Sequence, residues 1–234
     1  MKVYNTRFNP TPDGGLHFGN LYMALVNEAE AHRTGGKFNL RFDDTQVIWQ
    51  LRQTEINKRM VMAQQIDQMT WFGIKPDLVN TNIDMAFEAS HWLHVLCPNG
   101  IGVKSRTRDH GYEWIGNTME PYPYLPDGTA EKVIMDCMQD VNLLIRGDDL
   151  LSEASLYKYF CDLFGWEAPR QVYLPRLGTE GESMSKTNGL GSVESYRKDG
   201  GSAGNLRRRM AEWCLKDPKG EWFIENIKDK PWLG

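Results

Sequence analysis

The first 42 residues carry the pattern that most limits how this chain can fold. Val3 to Phe8 is a short extended stretch, and it stops at Asn9-Pro10, because a following proline disfavours helix at Asn9. A loop dense in proline and glycine follows, PTPDGGLHFGN at residues 10–20. From Asn20 to Thr34 the apolar residues Leu21, Ala24, Leu25 and Ala29 recur at spacings that give a helix one buried stripe. Gly35 and Gly36 then end it, since glycine tolerates the left-handed conformation of a helix terminus. In KFNLRF, Phe38, Leu40 and Phe42 alternate with Asn39 and Arg41, which is strand periodicity. Strand, helix and strand within about 40 residues make a βαβ unit with a right-handed crossover, hence an α/β fold with a parallel sheet.

The rest of the chain is read from the same signals. A second helix is expected over 52–72, with Ile56, Met60, Ala63, Ile66, Met69 and Phe72 on one face and Gly73 after it. Residues 76–130 are the least regular, crowded with proline, glycine, asparagine and aromatic residues, and read as an insertion of turns and short strands. VNLLIRGDD reads as a buried strand ending in charge. SEASLYKYFCDLFG reads as a helix with Leu156, Phe160 and Leu163 inward, Ser152 as N-cap and Gly165 as the stop. A polar loop, TEGESMSKTNG, precedes a last helix over 203–216 with Leu206, Met210 and Trp213 on its apolar side. The expected organisation is one α/β unit in two halves (1–75 and 131–190), an insertion (76–130) and a helical tail (191–234).

Composition narrows the function classes. A chain of 234 residues can bury one sizeable core, and 41% apolar with 25% charged residues is ordinary for a globular protein. No apolar run reaches the roughly 18 residues of a membrane span, and MKVYNTRFNP lacks a signal-peptide core, so a cytoplasmic location is expected. Cys97, Cys137, Cys161 and Cys214 lie far apart with no CxxC pair, so neither zinc nor a disulfide framework is expected. A net charge of −4 gives no global attraction to nucleic acid, although a local basic surface stays open.

Three places carry chemistry. The loop at 10–20 leaves a parallel strand and enters a helix, the position where open α/β sheets bind ligands and where the helix dipole and free N–H groups favour an anion. There Gly19 allows a phosphate to approach the main chain and His17 can donate to it; a glycine-rich turn with a surface histidine is the plain alternative. RGDDL at 146–150 sets an arginine and two aspartates at the end of a strand, suited to a carboxylate and to a ribose or metal, or else a solvated charged turn. SMSKT at 183–187 offers a loop lysine for a polyphosphate, or only an exposed one.

Taken together, these segments resemble the class I aminoacyl-tRNA synthetases. HFGN at 17–20 is similar to their HIGH motif, and MSK at 184–186 to their KMSKS loop. The finer likeness is to the glutamyl/glutaminyl branch. RFNPTPDGGLHFGNL resembles RFAPSPTGxLHxGxxxxAL, and GGKFNLRFDDT resembles GGxxxLRxEDT. LIRGDDLLS and LFGWEAP resemble the stretches before the second signature, and HFG with a small polar residue and leucine is similar to glutamyl-queuosine tRNA(Asp) synthetases.

The resemblance implies a Rossmann-like doubly wound parallel sheet of the HUP type as a catalytic domain in two halves (1–75 and 131–190), with a short, reduced insertion (76–130) and a small helical tail (191–234) in place of a full anticodon-binding domain. It implies activation of an amino acid, L-glutamate or a relative, by ATP with magnesium to an aminoacyl-adenylate, then transfer to the acceptor end of tRNA. His17, Gly19, Asn20, Asp148, Met184, Ser185 and Lys186 would take ATP, with His17 and Lys186 as the catalytic pair. Arg7, Thr11, Asp43, Tyr124 and Arg146 would take the amino acid, two arginines and one acid suiting two carboxylates and one ammonium. By ungapped counting, the branch's tyrosine and its partner fall on Gly128 and Lys132, and the lysine adds a positive charge. A modified tRNA base as acceptor, a non-tRNA acceptor and a non-catalytic nucleotide binder are the alternatives.

Overall fold

The computed structural model describes residues 2–44, 55–97, 101–102, 114–115, 129–179, 182–183 and 191–229. Its first unit is the expected one: β1 (Thr6–Phe8), α1 (Phe18–Arg33) and β2 (Phe38–Phe42), with β1 and β2 parallel and Thr6 opposite Phe38. Every residue of both strands is buried, as befits parallel strands covered on both faces. The two glycines between α1 and β2 do different work. Gly35 adopts φ +76°, and Gly36 lies so close to the Tyr4 carbonyl that a Cβ would overlap it.

After α2 (Glu55–Phe72), β3 (Leu78–Thr81) pairs in parallel with β2, and α3 (Asn82–Leu96) starts on a Thr81 cap. A full helix thus stands at Asn82–Leu96, where turns and short strands were expected. The buried stripe Met85, Ala89 and Leu93 has helical spacing, but exposed Phe87, Trp92 and Val95 mask it. β4 (Ile101–Gly102) and β5 (Trp114–Ile115) form a small antiparallel pair. Then come α4 (Thr129–Met138), β6 (Leu143–Gly147), a 3-10 turn at Asp148–Glu153, α5 (Ala154–Phe164) and β7 (Arg170–Leu174), parallel to β6. A hairpin, β8 (Gly178–Thr179) with β9 (Glu182–Ser183), precedes α6 (Val193–Lys198), α7 (Ala203–Cys214) and a second 3-10 turn at Ile224–Asn226.

The two parallel sheets abut where the Asn142 and Leu143 N–H groups donate to the Asn5 carbonyl (3.1 and 3.2 Å) and the Asn5 N–H donates to Asn142 Oδ1 (2.9 Å). The spatial order is therefore β3-β2-β1-β6-β7, and the chain winds outward in both directions from β1 and β6. That junction is the switch point at which doubly wound sheets open a crevice. Side chains of β6 alternate between two cores: Leu143 and Ile145 join α1, β1 and β2, whereas Leu144 joins α3, α4 and α5. The tail is part of the first core, through Leu206, Met210, Cys214, Trp222 and Ile227.

Two helix faces differ from expectation. On α5 the buried residues are Tyr157, Phe160, Cys161 and Phe164, while Leu163 is exposed. Glu153, not Ser152, stands at the N-cap, because the 3-10 turn runs straight into the helix. On α2 Met60 is exposed and Lys58, Gln65 and Gln68 are buried. These three polar residues serve the neighbouring loop and strand end.

Candidate active site

The carboxyl ends of β1, β2 and β6 gather most of the singled-out residues. After β1 the loop at 9–17 is held from below by α2. Gln68 Oε1 accepts from the Leu16 N–H (2.8 Å), and Gln65 Nε2 donates to the Thr11 carbonyl (3.1 Å) and to that of Gly14. Asn9 donates to the Arg41 carbonyl, and the Asp43 N–H donates to the Pro10 carbonyl (2.9 Å), so loop and strand end are stitched together.

His17 is the N-cap of α1. Its Nδ1 accepts from the Asn20 N–H (3.2 Å), and Asn20 Oδ1 accepts from the His17 N–H (3.0 Å), a reciprocal capping box. With Nδ1 as acceptor, the ring hydrogen of the neutral imidazole sits on Nε2, which becomes the donor. Gly19 makes room for this arrangement, since a Cβ there would lie 3.0 Å from the imidazole. The first-turn donors are largely used internally: Phe18 N–H donates to the Gly191 carbonyl (2.9 Å) and Asn20 N–H to His17. Among the described residues the Gly19 N–H stays available for an anion, fewer groups than the sequence suggested.

The same contacts join distant parts of the chain. His17 bridges Ser192, and the Val193 N–H donates to the Leu16 carbonyl (3.1 Å). The segment that directly follows the SMSKT loop is thus bonded to the start of α1. Met184, Ser185 and Lys186 themselves, and Tyr124, lie outside the described residues.

The arginines and acids form one buried, ion-paired cluster. Asp136, 1% exposed, pairs with Arg7 (Nε to Oδ1, 2.8 Å; Nη2 to Oδ2, 3.2 Å) and with Arg41 (Nη2 to Oδ1, 2.7 Å), and accepts from the Tyr157 hydroxyl (2.8 Å). Burial alone would raise the Asp136 carboxyl, yet the two guanidinium groups hold it far below the usual carboxylate range. Burial, with the Asp136 charge behind it, pushes the Tyr157 hydroxyl well above its ordinary value, so it stays a donor. Arg7, expected to face a ligand directly, is therefore committed to Asp136. Sequence reading missed that acid, although α4 carries it one turn beyond Lys132 on the same face.

Asp43 is also engaged. Lys132 Nζ lies 2.9 Å from its Oδ2, and Asn82 Nδ2 donates to its Oδ1 (2.9 Å). The lysine that counting put beside the site thus meets the very acid expected to read a substrate ammonium. Next to it, Asp44 accepts from the Ile83 N–H (3.0 Å) and pairs with buried Lys58 (3.1 Å); burial raises its carboxyl.

Arg146 differs from Arg7 and Arg41 in pairing with no buried acid among the described residues. It is 7% exposed, its Cζ stands 5.4 Å from the Tyr157 ring centroid, and Nη1 donates to the half-exposed Glu153 (3.2 Å). Its buried Nε has no hydrogen-bond partner, a costly state that a carboxylate ligand would relieve. Asp148 pairs with Arg176 (3.0 Å) at the start of the 3-10 turn, with both side chains about half exposed. Among the described residues no cluster of three His, Cys, Asp or Glu side chains could hold a metal, and no helix is long and apolar enough to cross a membrane.

A parallel sheet with a switch-point crevice, a capped histidine at its first helix and a buried guanidinium at its fourth strand define a Rossmann-like catalytic fold of the class I synthetase kind. Comparisons agree. The chain superposes on the glutamate tRNA ligase of Elizabethkingia meningosepticum with a TM-score of 0.75 at 13% identity, covering 100% of this chain and 67% of that one. The Elizabethkingia anophelis glutamate-tRNA synthetase gives 0.71 at 14% identity, with the same coverage. The family model for tRNA synthetases class I (E and Q), catalytic domain, matches residues 3–109. In sequence the chain is 47% identical over 271 residues to glutamate--tRNA ligase 1 of Chelativorans sp. (83% of this chain, 58% of the relative). It is 22% identical over 317 residues to that of Finegoldia magna (98% of this chain, 63% of the relative). Its domain is of the glutamyl/glutaminyl type. The chain spans 54 to 63% of the length of three such curated relatives.

Proposed function

We propose that this chain activates an amino acid, L-glutamate or a relative, with ATP to an aminoacyl-adenylate and passes the aminoacyl group to a hydroxyl of tRNA, with AMP leaving. A carboxylate oxygen of the acid attacks the α-phosphorus, the bond from that phosphorus to the bridging β-oxygen breaks, and pyrophosphate leaves with magnesium. No protein nucleophile is required; the work is alignment and charge stabilisation at phosphorus. His17 Nε2 and the Gly19 N–H would meet the phosphates, with Asn20 holding the imidazole in place. Met184, Ser185 and Lys186 would approach from the other side, and Asp148 would meet the ribose. Arg146 would pair with a substrate carboxylate, with Arg7, Thr11, Asp43 and Tyr124 completing the acid pocket. In this reading the two halves at 1–75 and 131–190 form the catalytic unit.

The observation that carries the reading is the bonding of Gly191, Ser192 and Val193 to Leu16, His17 and Phe18. It supports a common site for two motifs that lie some 170 positions apart. ATP–pyrophosphate exchange dependent on an added acid tests it: His17→Ala and Lys186→Ala each abolish exchange if it holds. Absence of exchange with all twenty amino acids and with their dicarboxylate analogues, with and without tRNA, refutes it.

A second reading replaces tRNA by another acceptor. The alignment with the Finegoldia magna relative runs over 317 residues although this chain has 234, so the relative carries internal segments absent here. Exchange without acylation of any RNA in a total-RNA screen would favour that reading.

A further inference from the structure

We infer that the chain carries a second ligand site, a cavity at the amino edge of the sheet that takes a primary organic ammonium with a compact apolar body, such as an arylalkylamine. The cavity, about 340 Å³, opens between α4, α5 and the segments that lead into β1, β6 and β7. That volume is within the usual range for small-molecule sites. The proposed reaction uses the carboxyl ends of the strands, so this is a separate place and the inference does not depend on that reaction.

The walls say what fits. Val133, Val141, Cys161 and Tyr157 are buried and Trp166 is half-buried, which gives the interior an apolar, partly aromatic lining. The Tyr157 hydroxyl is committed to Asp136 (2.8 Å), so Tyr157 offers the cavity its ring. The two wall amides are committed as well. Asn5 accepts from the Lys37 N–H (2.9 Å) and donates to the Asp140 carbonyl (3.1 Å); Asn142 accepts from the Asn5 N–H (2.9 Å) and donates to the Val3 carbonyl (3.0 Å). At the exposed end Lys2 and Glu167 pair with each other at 3.4 Å.

Asp140 is the charge left over. Among the described residues its carboxylate has no hydrogen bond or ion pair. It also stands where a carboxylate is unfavourable. Asp140 has φ +53° just past α4, its N–H donating to the Cys137 carbonyl (3.0 Å) and the Val141 N–H to that of Asp136 (2.9 Å). Glycine favours that left-handed position, and a negative charge there meets the negative end of the helix dipole. A ligand cation would offset both costs. The thiols report the same field: burial and then the Asp140 charge push Cys137 up, and burial with Asp136 pushes Cys161 up to about 11. Both therefore stay neutral thiols, and an anion finds no counter-charge beside Asp140. An ammonium with an apolar body uses the carboxylate, the helix end and the aromatic lining together.

Titration calorimetry of the whole chain with phenethylamine tests this, with phenethyl alcohol and phenylacetate as its neutral and anionic counterparts. The proteins are the wild type, Asp140→Asn, Asp140→Gly and Lys2→Ala. The expected result is saturable binding of the amine by the wild type, weaker by about tenfold or more for the alcohol and the acid. Both Asp140 variants should lose about tenfold in amine affinity, the worth of one charge-assisted contact. Both should also melt at or above the wild-type temperature, because each relaxes the end of α4. Lys2→Ala releases Glu167 and should bind the amine at least as tightly. No saturable binding, equal binding of the alcohol, or an affinity unmoved by Asp140→Asn overturns the inference. So does a lower Tm in Asp140→Gly, which would assign the carboxylate to the fold, or weaker binding by Lys2→Ala. Displacement of the amine by ATP or L-glutamate would move it to the opposite edge and also overturns the inference. Failure of pyrophosphate exchange touches the proposed reaction alone.

Discussion

Asp136→Asn isolates the electrostatics of the buried cluster, because asparagine keeps the shape of the side chain and removes only its charge. In the folded chain Arg7 and Arg41, 6% and 0% exposed, share this one carboxylate, and Arg41 has no other acid beside it among the described residues. The substitution leaves two guanidinium groups without an anion in a desolvated place, and breaking such a pair from one side costs about 3–5 kcal/mol. That is a large part of the roughly 5–15 kcal/mol that holds a domain together. For a chain of this size it corresponds to a fall in Tm of about 6–20 °C. Urea denaturation followed by circular dichroism, with scanning calorimetry beside it, measures both. The cause can be separated from lost packing by adding Arg41→Met, which takes away one stranded cation. The double variant should recover at least ~1 kcal/mol over Asp136→Asn alone. A loss below ~1 kcal/mol in the single variant, or a further loss in the double, refutes the reasoning.

The same acid governs the low-pH limb. Its folded pKa lies below the unfolded value of about 3.9, so its contribution is full above that value and is lost as pH falls from about 5 downward; Asp136→Asn should flatten the stability profile there. Asp44, raised by burial, acts with opposite sign, its contribution being lost as pH rises. Asp77, Glu194 and Glu225, held low by their partners, keep the sign of Asp136, so a shallower slope of the original sign should remain in the variant. Gly19→Ala should change stability by less than ~1 kcal/mol, because helix propensity gains while the imidazole yields, yet weaken ATP binding measured by calorimetry. An unchanged ATP affinity would dissociate His17 geometry from nucleotide binding. Gly36→Ala should lose ~2 kcal/mol or more in urea melts, since a Cβ there meets main chain and not a movable side chain.

The sheet was readable wherever one residue type repeated at one period. β1, α1 and β2 stand close to where alternation and the Gly35-Gly36 stop put them. The helix at 82–96 was hidden because α3 shows apolar residues on both faces. At the site, residue types were legible and commitments were not. Arg7 and Asp43 reach the carboxyl edge as expected, but pairing is a property of three dimensions. Asp136 and Lys132 come from a helix more than 85 positions further on, and nothing local ties them to their partners. Gln65 and Gln68 were passed over because polar residues on a helix usually mean a solvated face, whereas here they replace water for the main chain of the loop.

The bonding of Leu16–Phe18 to Gly191–Val193 has a consequence for how the chain comes into being. Helix α1 can begin coiling early in synthesis, but the backbone groups around its first turn find their partners only after residue 193 has emerged. The entropic cost of closing a loop grows only slowly with its length, but non-local contacts slow folding, so this junction forms after the local contacts of β1, α1 and β2. A nascent chain halted before that point carries every residue of the opening motif and still lacks the hydrogen bonds that fix the start of α1.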